Sequence, residues 1–283
     1  INKFVYVTIK RHSRYFIENY RLNYHDSENT LSIDKIKNSI IRETLKYFNI
    51  KEKLYISVVA DVPTGSGLGG SSSFIVGLIN AICKLETIKI SKKEIYEIAT
   101  HIEIKIIRSP IGKQDHIPAV FGGLIYTRYL KNDKVIIKKM NYGGNLKPMN
   151  LLWTMKTRDA NLVLESQKKK LKQNLDNLIQ IKNMADQYYI QTKKKKKLDL
   201  KNLIKLVNKS WFLKKSLSKM ISFNLVDKIL LRSNNKNLGG KLLGAGGGGF
   251  ILLIGQIKNT IKKKYITESI KVYKRGTEII LAK

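Results

Sequence analysis

A β-type run, Tyr55-Ile56-Ser57-Val58-Val59-Ala60, leads into Asp61-Val62-Pro63-Thr64-Gly65-Ser66-Gly67-Leu68-Gly69-Gly70 and then Ser71-Ser72-Ser73-Phe74. An apolar pattern of helical period follows. No other stretch restricts the fold as much, because a strand, a glycine loop and a helix must come in immediate succession. Glycines let backbone N–H groups crowd around a bulky anion, and a helix N-terminus adds about half a positive charge there. Serine hydroxyls on the first turn can hold a metal ion or donate to phosphate oxygens. The residue chemistry of this segment points to a polyphosphate.

Several glycine-loop templates compete for it. A Walker A loop needs a lysine before the Ser/Thr, and none precedes Ser71. Gly65-x-Gly67-x-x-Gly70 satisfies the dinucleotide pattern, but that reading needs a second strand ending in an acid about 20 residues on. Glu86 precedes its short apolar run, Ile88-Lys89-Ile90, instead of ending it. A protein-kinase glycine loop would need His-Arg-Asp and Asp-Phe-Gly downstream, and the sequence has neither.

Three further features carry chemistry. Ser91-Lys92-Lys93-Glu94 is a capping box that opens a helix with apolar residues at Ile95, Ile98, Ala99, Ile102 and Ile106. Glu103 falls on the flank of that stripe, where it is partly shielded; an ordinary helix-edge carboxylate reads the same way. Asp115 follows Pro110-Ile111-Gly112-Lys113-Gln114, and a turn-capping role is the plainer alternative for it. Leu242-Leu243-Gly244-Ala245-Gly246-Gly247-Gly248-Gly249-Phe250 is a turn without bulky side chains, suited to close approach by a ligand or another loop. As a mere hairpin loop it would carry an entropic cost with no return.

The pattern Pro63-x-x-x-Gly67-Leu68-Gly69-x-Ser71-Ser72 resembles the phosphate loop of the GHMP kinases (galacto-, homoserine, mevalonate and phosphomevalonate kinases), and the glycine run 244–249 resembles their C-terminal motif. The resemblance implies an α+β, two-lobed architecture, with a ribosomal-S5-like N-terminal half at 1–147 and a ferredoxin-like C-terminal half at 148–283. It implies ATP over Pro63, Gly65, Ser66, Gly67, Leu68, Gly69, Gly70, Ser71, Ser72 and Ser73, and Mg²⁺ on Ser71 and Glu103. Asp115 matches the residue that takes the acceptor proton in many members, one position later than the commonest spacing. Gly244, Ala245, Gly246, Gly247 and Gly248 would cover the acceptor side. Tyr24 to Thr30, Gln114-Asp115, Trp211 to Ser218 and Gly239 to Phe250 resemble the heptose 7-phosphate kinases within that family. That likeness implies a sugar phosphate as partner, with Arg21, Arg42 and Arg158 as candidates for its distal phosphate. Two departures stand out. Gly70 occupies a position where most members have serine, and the chain begins at Ile1 on what reads as the family's second strand, without its first motif. The sequence therefore reads as truncated at its N-terminus.

Composition limits the remaining classes. The formal charge is +33, from 54 Lys and Arg against 21 Asp and Glu. A charge of this size ordinarily suggests nucleic acid. The lysines are spread along a chain also rich in isoleucine and asparagine, with peaks at Lys168-Lys169-Lys170 and Lys193 to Lys197 and no interleaved aromatics. They read as solvated surface, and Lys193 to Lys197 as a loop, with no nucleic-acid partner. No apolar run approaches the ~20 residues of a membrane span. The lone cysteine, Cys83, fits core packing in a reducing, cytoplasmic setting. A monomer or homodimer is expected.

The periodicity predicts strands at 3–10, 54–60, 124–129 and 151–155, and helices at 33–48, 71–85 and 92–107. Further helices are predicted at 160–190, 199–216, 223–232 and 257–271, a strand at 251–254, and a closing strand at 277–282.

Overall fold

The computed structural model describes residues 1–141, 148–157, 160–195, 199–233 and 237–281. The chain forms two compact units. One draws on Lys3–Val62, Gly69–Gly122 and the segment from Lys274 onward; the other draws on Ile1–Asn2, Pro63–Leu68 and Gly123–Tyr273.

The first unit opens with strand β1 (Val5–Arg11), the hairpin β2 (Tyr20–Asn23) and β3 (Ser27–Thr30), helix α1 (Ser39–Tyr47) and strand β4 (Leu54–Ala60). The sheet order is β1-β4-β2-β3, with β4 antiparallel to β1 and parallel to β2. Helices α2 (Gly70–Leu85), α3 (Lys92–Thr100) and α4 (His116–Phe121) follow. Leu22, Leu54 and Ile56 from the sheet, Ile41 and Leu45 from α1, and Leu78 and Ile82 from α2 make one buried cluster. Helix α2 is apolar on more than one face because α1, α3, α4 and β1 all pack against it. Cys83 is buried there, as expected, and burial pushes its thiol up to about 11.

Three local expectations need correction in this unit. The helix foreseen over 33–48 is a 3₁₀ turn at Ile33–Lys35 followed by α1, whose start is fixed where the Asn38 side chain accepts the Ile41 N–H at 3.1 Å. The helix foreseen over 92–107 is α-helical only to Thr100 and becomes a π-helical segment, His101–Ile106. Its wider turn shifts the register, so Ile106 is exposed while Ile102 and Glu103 are buried. Residues 277–281 form no strand. Gly276 instead packs against the backbone of Val120 and Gly122, so closely that a Cβ at either glycine would strike the other segment.

The second unit holds the hairpin β5 (Ile125–Tyr129) and β6 (Val135–Lys139), strand β7 (Met149–Trp153), and helices α5 (Ala160–Lys169), α6 (Leu175–Lys195), α7 (Leu200–Ser216) and α8 (Asn224–Ser233). Strands β8 (Leu238–Leu242) and β9 (Phe250–Gly255), helix α9 (Asn259–Lys264) and strand β10 (Thr267–Ile270) complete it. Its antiparallel sheet runs β10-β7-β9-β8. Leu152, Leu242, Ile251 and Leu253 pack with Trp211, Val226 and Ile229 in one cluster; Met149, Leu151, Ile254 and Ile270 pack with Ile204 and Val207 in another.

The helix foreseen over 160–190 breaks at 170–174, and that foreseen over 257–271 is the six-residue α9 followed by β10. Thr267 to Ile270 complete the sheet by pairing with β7, Ile270 opposite Met149. Such a long-range pairing outweighs weak local helix preference. Lys193 to Lys195 are the last residues of α6 and not loop residues; 196–198 lie outside the described residues. No described helix is long and apolar enough to cross a membrane.

Candidate active site

The loop before α2 is shaped by its glycines. Gly65, Gly67 and Gly69 have φ of +71°, +81° and +73°, which only glycine adopts without strain. Positive φ at such positions lets backbone N–H groups approach an anion without a Cβ in the way. Gly69 is the N-cap of α2, and its helix start has no side-chain cap. The first N–H groups of that helix are therefore left for another acceptor.

Within the first unit, two carboxylates lie at the first turn of α2. A Cβ placed on Gly69 would sit 3.4 Å from the Asp115 Cβ and 3.9 Å from its Oδ2. Asp115 is the residue before α4 and makes no side-chain cap to that helix. One turn along, the Ser72 hydroxyl donates to Glu103 Oε2 at 3.4 Å, and His116 Nε2 lies 2.7 Å from the same oxygen. Glu103 is 2% exposed. It is thus buried, where the helical wheel leaves it half shielded. The serine it meets is Ser72; Ser71 is exposed, Ser73 is partly buried, and Gly70 has open space beside it.

Within the second unit, the segment Pro63–Leu68 packs against the second glycine run. Phe250 N–H donates to the Ser66 carbonyl at 3.2 Å. A Cβ on Gly67 would come within 3.3 Å of the Leu243 carbonyl oxygen, and one on Gly249 would fall on the Ser66 carbonyl. The run is pinned from several sides. Gly249 N–H donates to the Lys156 carbonyl at 2.7 Å, Gly247 N–H donates to the Ile221 carbonyl at 2.7 Å, and Gln167 Nε2 donates to the Ala245 carbonyl at 3.0 Å. Lys214 Nζ donates to the carbonyls of Leu242 and Gly244. Gly246 and Gly248 are buried and Gly244 is exposed. The run is a fixed turn, not a slack hairpin loop.

The arginines are less concentrated. Arg42 is engaged by Glu43 and by the Ile36 carbonyl, both at 2.8 Å. Arg21 on β2 lies over the Phe16 ring at 5.9 Å. Arg158 lies outside the described residues. Sequence reasoning passed over His116, whose only signal is its place directly after Asp115. No group of three or more His, Cys, Asp and Glu side chains clusters for a metal among the described residues. A carboxylate and a hydroxyl are nevertheless hard oxygen donors of the kind Mg²⁺ takes when phosphates and water complete its shell. Ser72 and Glu103 fit that part.

These features describe an α+β chain of the phosphate-loop type, with strand, glycine loop and uncapped helix in succession. Residues 35–123 match the family model for the N-terminal domain of GHMP kinases. It is 32% identical over 75% of its length to a D-glycero-alpha-D-manno-heptose 7-phosphate kinase of Campylobacter jejuni, of which it spans 65%. It is 27% identical over 76% of its length to a mevalonate kinase of Saccharolobus solfataricus, spanning 67% of that protein. The solved structure of a D-glycero-D-manno-heptose 1-phosphate kinase from Bacteriodes thetaiotaomicron superposes with a TM-score of 0.69 at 22% identity, covering 97% of this chain and 86% of the other.

Proposed function

We propose that the chain is an ATP-dependent small-molecule kinase that transfers the γ-phosphoryl group to a sugar hydroxyl, C1 of D-glycero-D-manno-heptose 7-phosphate. One observation carries this reading: Asp115 and Glu103 lie one turn apart at the start of α2, beside Gly69 and Ser72. The choice of sugar rests on the 32% identity to the C. jejuni enzyme.

In this reading Gly65–Gly70 and Ser71–Ser73 bind the triphosphate through backbone N–H groups, the helix N-terminus and hydroxyls. Asp115 takes the proton from the attacking hydroxyl as its oxygen bonds to the γ-phosphorus and the bond to the β-phosphate oxygen breaks, releasing ADP. Such proton acceptance is worth about 10²–10⁴-fold. Glu103 and Ser72, with Ser71 as the family pattern has it, would hold Mg²⁺, which neutralises charge on the phosphates. The run 244–248 is assigned to the acceptor side, Arg21 and Arg158 to the distal phosphate, and the two functional halves to 1–147 and 148–283, in a cytoplasmic monomer or homodimer. Arg42 is the weakest of the proposed phosphate ligands, since its guanidinium is engaged within the fold.

The test is ATP consumption over a panel of sugar phosphates and mevalonate, comparing the chain with Asp115→Asn. Turnover confined to heptose 7-phosphate, and lowered at least 10²-fold in the variant while nucleotide binding persists, is the expected result. Full turnover in the variant removes the general-base role, and turnover on mevalonate alone reassigns the substrate.

A further inference from the structure

We infer that His116 is a positioning residue, which holds the Glu103 carboxylate in register for the metal–nucleotide; this rests on the metal role proposed for Glu103. Both side chains are buried, His116 at 0% and Glu103 at 2%, and His116 Nε2 lies 2.7 Å from Glu103 Oε2. A carboxylate oxygen offers only lone pairs, so Nε2 carries the proton of this bond. The Ser72 hydroxyl approaches the same oxygen at 3.4 Å. Oε2 is thereby tied to two neighbours, and Oε1 has no protein partner among the described residues. The carboxylate is held by one oxygen and offers the other.

The far side of the ring points the same way. His116 Nδ1 is buried and has no hydrogen-bond partner among the described residues. Leaving a buried polar atom unpaired is destabilising, a penalty that an apolar side chain of similar volume would avoid. A histidine kept only to fill space would have no reason to bear it. The return is on the Nε2 side, where outer-shell partners of ligating carboxylates fix their orientation.

Chain connectivity adds a second link. His116 begins α4 and Asp115 is its N-cap, so adjacent residues set both acids at the first turn of α2. The π-helical segment His101–Ile106 delivers Glu103 inward to meet the ring. Without that wider turn, the carboxylate would lie on the flank of the helix.

The experiment is a Mg²⁺ titration of fluorescent ATP-analogue binding to the full chain, with thermal unfolding recorded for each variant. His116→Leu is expected to raise the Mg²⁺ needed for half-saturation by about 10–100-fold. His116→Gln, whose amide nitrogen can stand where Nε2 stands, recovers most of that loss. In a Glu103→Gln background His116→Leu adds nothing further, since its effect runs through the carboxylate. If the leucine variant unfolds, His116→Asn, which keeps polarity but withdraws the donor, takes its place. An unchanged Mg²⁺ requirement in His116→Leu, alongside a weakened one in Glu103→Gln, overturns the inference while sparing the metal role. An unchanged titration in Glu103→Gln overturns the metal role, and His116 falls with it.

Discussion

Two serines in succession lead to a decision that only geometry can make. Family resemblance puts the metal-binding hydroxyl at Ser71, whereas the described contacts put Ser72 against Glu103 and leave Ser71 exposed. Neighbours on a helix point about 100° apart, so only one of them can face a given carboxylate. Ser72→Ala should therefore raise the Mg²⁺ concentration for half-maximal nucleotide binding more than Ser71→Ala does. A larger effect at Ser71 would restore the family assignment. The types of residue needed here were plain from sequence: glycines, a serine cluster, two carboxylates. Their pairing was not, because Glu103 enters the core through a π-turn that periodicity does not reveal, and His116 bears no motif of its own.

At the scale of elements, the two glycine runs differ in what their glycines do. Gly249 has φ of +92° and its missing Cβ would fall on the Ser66 carbonyl. Gly249→Ala should cost about 1–3 kcal/mol in denaturant unfolding, since strained backbone and backbone overlap both oppose it. Gly70 is the contrasting case. It opens α2, carries no positive φ, and has nothing within 4 Å of the point where a Cβ would stand. Gly70→Ala should leave the unfolding midpoint unchanged or raise it, since glycine's greater chain entropy is removed without strain. A lower midpoint for Gly70→Ala than for Gly249→Ala would refute this account of both loops. Caps and turns were legible in advance because they are settled within a few residues; the Ser91–Glu94 capping box forms as its spacing predicts. The end of the chain was not, since α9 gives way to β10 only because β7 offers a free edge.

For the molecule as a whole, Cys83 provides a reporter of opening in the first unit. It is buried in α2, and burial raises its thiol to about 11 from an ordinary value of 9.0. The unfolded state therefore loses this proton first, binds fewer protons between those values, and gains stability relative to the fold as pH rises through that window. A thiol reagent at pH 8 should label Cys83 only as fast as the unit opens, and rapid labelling of folded chain would show the helix to be loosely seated. Of the protein's character, the sequence alone settled the strand–loop–helix succession, the glycine turns and the polar start of α3. Those features follow from φ restrictions and hydrogen bonds between near neighbours. Tertiary structure decided which serine meets Glu103, how Ser66 lies against Gly249, and why β10 is a strand. Each of these joins residues far apart in the chain, where burial and the satisfaction of backbone groups outweigh local preference.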